Sequence, residues 1–159
     1  MERIDIICIG TLKEKFMREL CEEYKKRLSR YCKLTVHELN EYRLPSEPSD
    51  AEITRALDTE AEQMLNITPA GAYKIAMCIE GKMTDSVALA KQFQSAMDRQ
   101  GKVAIYIGSS YGLSESLKSQ CELRLSMSPM TFPHQLARGM LLEQIYRTYK
   151  IRKNETYHK

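Results

Sequence analysis

The strongest constraint on this chain is an alternation. Five short runs rich in Ile, Val, Leu and Tyr, at residues 2–9, 33–39, 73–79, 102–107 and 123–127, are separated by stretches with helical spacing of apolar residues. Runs of strand type interleaved with helices and joined by short loops build parallel sheets, because a parallel pair needs a crossover long enough to hold a helix. The expected class is α/β, a mostly parallel sheet with helices on both faces. No repeat, low-complexity tract or shift in composition divides the 159 residues, so residues 1–159 are read as one domain.

Punctuation between the runs supports this order. Phe16, Leu20, Tyr24, Leu28 and Tyr31 lie on one side of the first helical stretch. Residues 40–48, with Pro45 and Pro48, form a loop. Ser49 and Glu52 then stand at capping-box spacing before Ile53, Leu57, Met64 and Leu65. Residues 80–82 read as a turn out of the third strand, and a third helix over 85–100 stops at Gly101, a suitable C′ residue. Ser114 caps a short helix reaching about residue 122, and Pro133 suits the first position of the last helix.

Several function classes drop out early. No run of about 18 apolar residues exists, the least that spans a bilayer as a helix. The apolar part of MERIDIICIG is too short for a signal peptide, so a cytoplasmic location is expected. Cys8, Cys21, Cys32, Cys78 and Cys121 are dispersed, with no Cys-x-x-Cys pair, and read as reduced thiols rather than as disulfides or a zinc site. The net charge of +3 is small, but residues 134–159 hold six Lys or Arg against two Glu. That surplus is either a footprint for a polyanion or a solvated helix face.

Parallel sheets bind ligands beyond the carboxyl ends of their strands, which singles out residues 77–82, 108–112 and 127–132. Neither GxGxxG nor GxxxxGK[ST] is present. Gly81-Lys82 and Gly101-Lys102 lack the upstream glycine and the following hydroxyl residue, so ATP or NAD held by a glycine-rich cradle is not expected. The Gly108–Gly112 turn, GSSYG, lets backbone approach a ligand, although most such turns are only turns. The segment SMSPMTFPHQLARG, residues 126–139, carries little charge. Met127, Met130 and Phe132 offer apolar surface, and Pro129 and Pro133 stiffen it. It suits a flat ring such as adenine held by main-chain hydrogen bonds, and it equally suits plain core beneath a crossover.

At this point the residues resemble a known family. MTFPHQLARGMLLEQIYRTYKI, with the terminal YHK, is similar to the C-terminal signature of the RlmH family. These are large-subunit ribosomal methyltransferases of the SPOUT superfamily that act on N3 of a pseudouridine in 23S rRNA. IGTLKEKF, IEGKM and IGSSYGL stand in the family's order and spacing, so the resemblance runs nearly full length. It implies a SPOUT α/β-knot, with a C-terminal deep trefoil knot tied by the three loops above, a rare exception that no periodicity reveals. It implies S-adenosylmethionine as methyl donor and no metal. Met77, Gly108, Met127, Ser128, Pro129, Met130, Thr131 and Phe132 would then lie at the cofactor. It also implies a homodimer with the last helix near the interface, a partner subunit completing the RNA site, and 23S rRNA presented by the assembled ribosome. This sequence departs from the family at Ser109, usually a second glycine; at Pro129, commonly Lys; and at Met127, usually Leu or Phe.

The implied chemistry adds candidates. N3 of pseudouridine is an imide nitrogen that becomes nucleophilic on losing its proton, so a base or a stabilising charge helps. His134, beside the loop, is the titratable candidate, or else it only opens the helix. Arg138, one turn on, can stabilise an imide anion or hold phosphate; as a surface helix residue it does neither. Tyr157, His158 and Lys159 read as a frayed tail by position. The resemblance instead sets that tail on the RNA-facing side of the pocket, with Tyr157 stacking on a base and Lys159 on phosphate. Tyr157 and His158 thereby join His134 and Arg138 as catalytic candidates. Two rival readings remain: a ribose 2′-hydroxyl as acceptor, and a ribosome-binding factor without turnover.

Overall fold

The computed structural model describes residues 1–157. Its elements are β1 (Arg3–Ile9), α1 (Lys15–Leu28), β2 (Lys33–Leu39), α2 (Asp50–Asn66), β3 (Tyr73–Met83), α3 (Ser86–Gln100), β4 (Lys102–Ile107), α4 (Glu115–Lys118), β5 (Leu123–Ser126) and α5 (His134–Arg152). The strands form one sheet in the order β2-β1-β4-β3-β5, every neighbouring pair parallel. None of the described helices is long and apolar enough to cross a membrane.

Strand geometry sends alternate side chains to opposite faces, which is why β1 is apolar along almost its whole length. Ile4, Ile6 and Cys8 join one core, where α1, α3 and α5 contribute Leu28, Phe93, Leu141 and Ile145. Ile7 and Ile9 join a second core with Ala61 and Met64 of α2 and Leu117 of α4. Each such fully buried aliphatic side chain contributes roughly 1.5–3 kcal/mol. Asp5 is the polar exception on β1, fully buried yet satisfied: Arg3 Nε donates to it at 2.7 Å and His37 Nε2 lies 2.8 Å away.

The capping devices read from sequence are present. Ser49 Oγ accepts from the Glu52 N–H at 3.2 Å, while the Glu52 carboxylate accepts from the Ser49 N–H at 3.1 Å. Gly101 ends α3 at φ +69°, a left-handed conformation that glycine adopts without penalty.

Other boundaries move, each for a local reason. β3 does not end at Ile79 with a turn at residues 80–82; it runs on to Met83. Its register against β5 shifts between Met77 and Lys82, both of which face Leu125, so residues 78–81 bulge from the ladder. Gly81 permits this, since a Cβ there would lie 2.8 Å from the Arg124 and Leu125 backbone. α4 is a single turn rather than a helix to residue 122, and β5 stops at Ser126. Pro133 sits at the N-cap of α5 with ψ 135°, one place before the first helical position. Of the apolar stripe expected on the first helix, Leu28 is buried and Tyr24 and Tyr31 pack against the core, whereas Phe16 and Leu20 are exposed and Cys21 is buried in addition.

The ends of the chain close on each other. The Glu2 carboxylate accepts from Tyr149 Oη at 2.7 Å and from Arg152 Nη2 at 2.6 Å, joining the start of β1 to the last turns of α5. Tyr31 stacks on Tyr149 with ring centroids 5.4 Å apart.

Candidate functional site

The carboxyl ends of β3, β4 and β5 stand together at one end of the sheet, and the three segments that leave them enclose a cavity of about 710 Å³. Met77 reaches it from β3, Gly108 and Ser109 from the turn after β4, and Met127, Ser128, Met130, Thr131 and Phe132 from the segment after β5. Pro129 lies in that segment but does not line the cavity. The segments lie well apart in sequence, Met77 being 31 positions before Gly108 and Ser109 18 before Met127, so only the fold makes them neighbours.

The turn after β4 is built by close backbone approach. Gly112, at φ +83°, donates its N–H to the Ser109 carbonyl at 2.8 Å. A Cβ on Gly108 would fall 2.2 Å from the Gly112 carbonyl oxygen, so no other residue fits there without moving the turn. Ser109, where a second glycine was the family expectation, is accommodated with its main chain paired to Gly112. After β5, Ser126 Oγ donates to the Ser128 carbonyl at 3.1 Å, and Ser128 Oγ accepts from the Met130 N–H at 3.0 Å. These bonds fix the irregular path that presents Met127 and Phe132 to the cavity.

The catalytic candidates separate. His134, the first residue of α5, lines the cavity. Arg138 does not: it is buried rather than a surface residue, with Nη1 donating to Glu38 at 2.6 Å and Nη2 to the Gly10 carbonyl at 3.2 Å. Tyr157 folds back on α5. Its hydroxyl donates to Glu143 at 3.0 Å, its ring packs edge-on against Tyr146 at 5.0 Å, and the Arg147 guanidinium lies 4.6 Å from the ring centroid. Burial and then the Glu143 bond push the Tyr157 phenol up to about 12. His158 and Lys159 lie outside the described residues.

Polar lining residues that the sequence did not name as site residues include Cys78 and Glu80, both within the 77–82 segment, and Lys118, outside the three segments. Cys78 and Glu80 come from the bulge in β3, and Lys118 from α4. Glu80 looked like a turn residue because the bulge leaves no trace in hydropathy. The available signal for Lys118 was the Ser114 cap, which sets the phase of the turn. Lys118 Nζ donates to both Glu80 and Glu115. Burial alone pulls the Lys118 ammonium down, but the two carboxylates outweigh it and hold it above the ordinary lysine range. The Lys118 bond holds the Glu80 carboxyl below its ordinary range. Among the described residues, no three His, Cys, Asp or Glu side chains gather as metal ligands would.

Relatives agree with this architecture. A family model described as "Predicted SPOUT methyltransferase" matches residues 2–158. The chain is 43% identical over 157 residues to the ribosomal RNA large subunit methyltransferase H of Clostridium novyi (strain NT), covering 98% of this chain and 99% of that protein. It is 41% identical, with the same coverage, to the protein of that name from Clostridioides difficile (strain 630). The crystal structure of a protein described as a probable methyltransferase from Bordetella pertussis Tohama I superposes with a TM-score of 0.53. That match has 14% identity and covers 92% of this chain and 96% of the other, so it speaks for the fold alone. With the family model spanning almost every residue and relatives this similar over their full length, the chain belongs to the SPOUT methyltransferase family.

Proposed function

We propose that this protein transfers a methyl group from S-adenosylmethionine to N3 of a pseudouridine in 23S rRNA, acting as a homodimer on the assembled ribosome. The observation that carries the reading is the cavity at the ends of β3, β4 and β5. It has the backbone-lined, largely apolar walls that an adenine ring needs, in a chain whose full-length relatives are named for large-subunit rRNA methylation. The Gly108 cradle fits such a ligand, because the space a Cβ would take is given to main-chain atoms with hydrogen-bonding capacity. Met77, Gly108 and residues 127–132 would hold it, the loop being tied by the knot that the family has.

The donor supplies an activated, electrophilic methyl group, so the chain's own work is alignment and exclusion of water. Met127, Met130 and Phe132 keep the cavity apolar. His134 stands at its edge to take the imide proton as N3 attacks. Arg138 acts one turn away, tying α5 to Glu38 and to the Gly10 carbonyl and so fixing where His134 points. The acceptor reaches this edge with help from the partner subunit, whose last helix and tail supply Tyr157 and His158. Phe16 and Leu20 are exposed on α1, Leu20 beside Gly139 of α5, and are apolar surface of the kind a second copy covers.

Mass spectrometry of 23S rRNA from cells lacking the gene tests this. Loss of one base methyl group on a pseudouridine, restored by the wild-type gene, is the expected result. Loss of a ribose methyl group would replace the acceptor, and an unchanged methylation pattern would end the enzymatic reading.

A further inference from the structure

The cavity is lined by one pair of opposite charges, and the proposed function leaves that pair unused. Among the described residues, Glu80 and Lys118 are the opposite charges that line it. They arrive from separate elements: Glu80 on the β3 bulge that Gly81 allows, Lys118 on the single turn of α4. Their freedom differs. The Lys118 side chain is only 10% exposed and also grips Glu115 at 2.9 Å, whereas the Glu80 side chain is 55% exposed and can swing. Lys118 is thus a fixed cation with a second partner to keep it neutralised, and Glu80 is a movable anion.

A donor of the S-adenosylmethionine class is apolar at its adenine and zwitterionic at its amino-acid end, where an α-ammonium and an α-carboxylate stand on one carbon. Taking that zwitterion out of water is costly unless each charge meets its opposite. The remaining walls, Met77, Met127, Phe132 and the Gly108 turn, offer apolar atoms and peptide groups but no ion. We infer that Glu80 and Lys118 hold the amino-acid end of the methyl donor, Glu80 accepting from the α-ammonium and Lys118 donating to the α-carboxylate. The inference rests on reading the cavity as the cofactor site. On binding, the Glu80–Lys118 pair opens and each partner takes one ligand charge, so charge is balanced before and after, with Glu115 holding Lys118 in place throughout. The arrangement also orients the ligand, because in the reverse orientation the zwitterion would face apolar walls without partners while Glu80 and Lys118 stayed paired with each other.

Calorimetry with two nucleosides separates this role from a structural tie between α4 and β3. S-Adenosylhomocysteine carries the amino-acid end; 5′-methylthioadenosine lacks it but keeps the adenosine. Lys118→Met and Glu80→Gln are each expected to weaken S-adenosylhomocysteine by roughly tenfold to a hundredfold, the range of one charge-assisted hydrogen bond. Both variants should keep 5′-methylthioadenosine within about twofold of wild type, which also reports that the cavity is intact. Equal losses for both nucleosides, or no loss for either, would overturn the assignment while leaving the cofactor site standing. Failure of the wild-type protein to bind either nucleoside would remove the cofactor reading itself, and this inference with it.

Discussion

At Gly108 a hydrogen stands where any other residue would set a carbon 2.2 Å from the Gly112 carbonyl oxygen. Backbone, not a flexible side chain, fills that space, so even alanine must displace the turn that forms one wall of the cavity. Gly108→Arg is accordingly expected to abolish S-adenosylhomocysteine binding, and Gly108→Ala to weaken it severely, both read by calorimetry. Retention of wild-type affinity by Gly108→Arg would take the turn out of the site. Sequence suggested this glycine only through a short GSSYG stretch and the family resemblance, because the partner that makes it indispensable is a carbonyl four residues on. Arg138 was legible as a residue and misjudged as an environment. Its charge suggests a surface position, yet it shares the buried face of α5 with Leu141, Leu142 and Ile145, where Glu38 near the end of β2 and the Gly10 carbonyl after β1 receive it. Those contacts join residues a hundred or more positions apart, which no local pattern encodes.

At the scale of elements, local chemistry is read well and contacts between elements poorly. The capping box of α2, the glycine stop of α3 and the span of β4 follow from nearby residues, and sequence recovers them. The β3 bulge depends on how closely β5 approaches Gly81, so it surfaces only in three dimensions. Two glycines with different neighbours make the contrast measurable. Gly81→Ala drives a methyl into the β5 backbone and should destabilise by about 1–3 kcal/mol in urea denaturation, the usual cost of overpacking. Gly139→Ala meets the Leu20 side chain, Cδ2 at 2.7 Å and Cγ at 3.4 Å, which is exposed enough to turn aside. Helix propensity favours alanine there by about 1 kcal/mol, so little net change in stability is expected. A large loss at Gly139 would mean that α1 and α5 are locked more tightly than Leu20's exposure implies.

For the whole molecule, the closure between Glu2 and α5 is one contribution to the response to acid. Burial pushes the Glu2 carboxyl up, but the hydrogen bonds from Arg152 and Tyr149 outweigh it and hold it below its ordinary value. Asp5 behaves alike: burial raises it, and Arg3 and His37 bring it lower. A carboxyl depressed in the folded state stabilises fully above its unfolded pKa, about 4, and loses that contribution as pH falls through the lower folded value. The urea midpoint should therefore hold from neutral pH down to about 5 and fall below about 4. Glu2→Gln should lower the midpoint at neutral pH and flatten the acid decline; an unaltered acid limb would show that this clasp does not bear on it. Removal of residues 157–159 addresses the opposite end. The cavity sits at the first turn of α5, while Tyr157 packs three turns away against Glu143, Tyr146 and Arg147. Truncated protein is expected to bind S-adenosylhomocysteine as before and to methylate ribosomes poorly, and full methylation would exclude the tail from the acceptor site.

The same clasp bears on synthesis. β1 lies second in the sheet, with Ile4 and Ile6 in a core that α5, the last of the described helices, completes with Leu141, Leu142 and Ile145. During translation the part of that apolar side which α1 and α3 do not cover stays open until α5 has emerged, a window in which chaperones and aggregation compete for it.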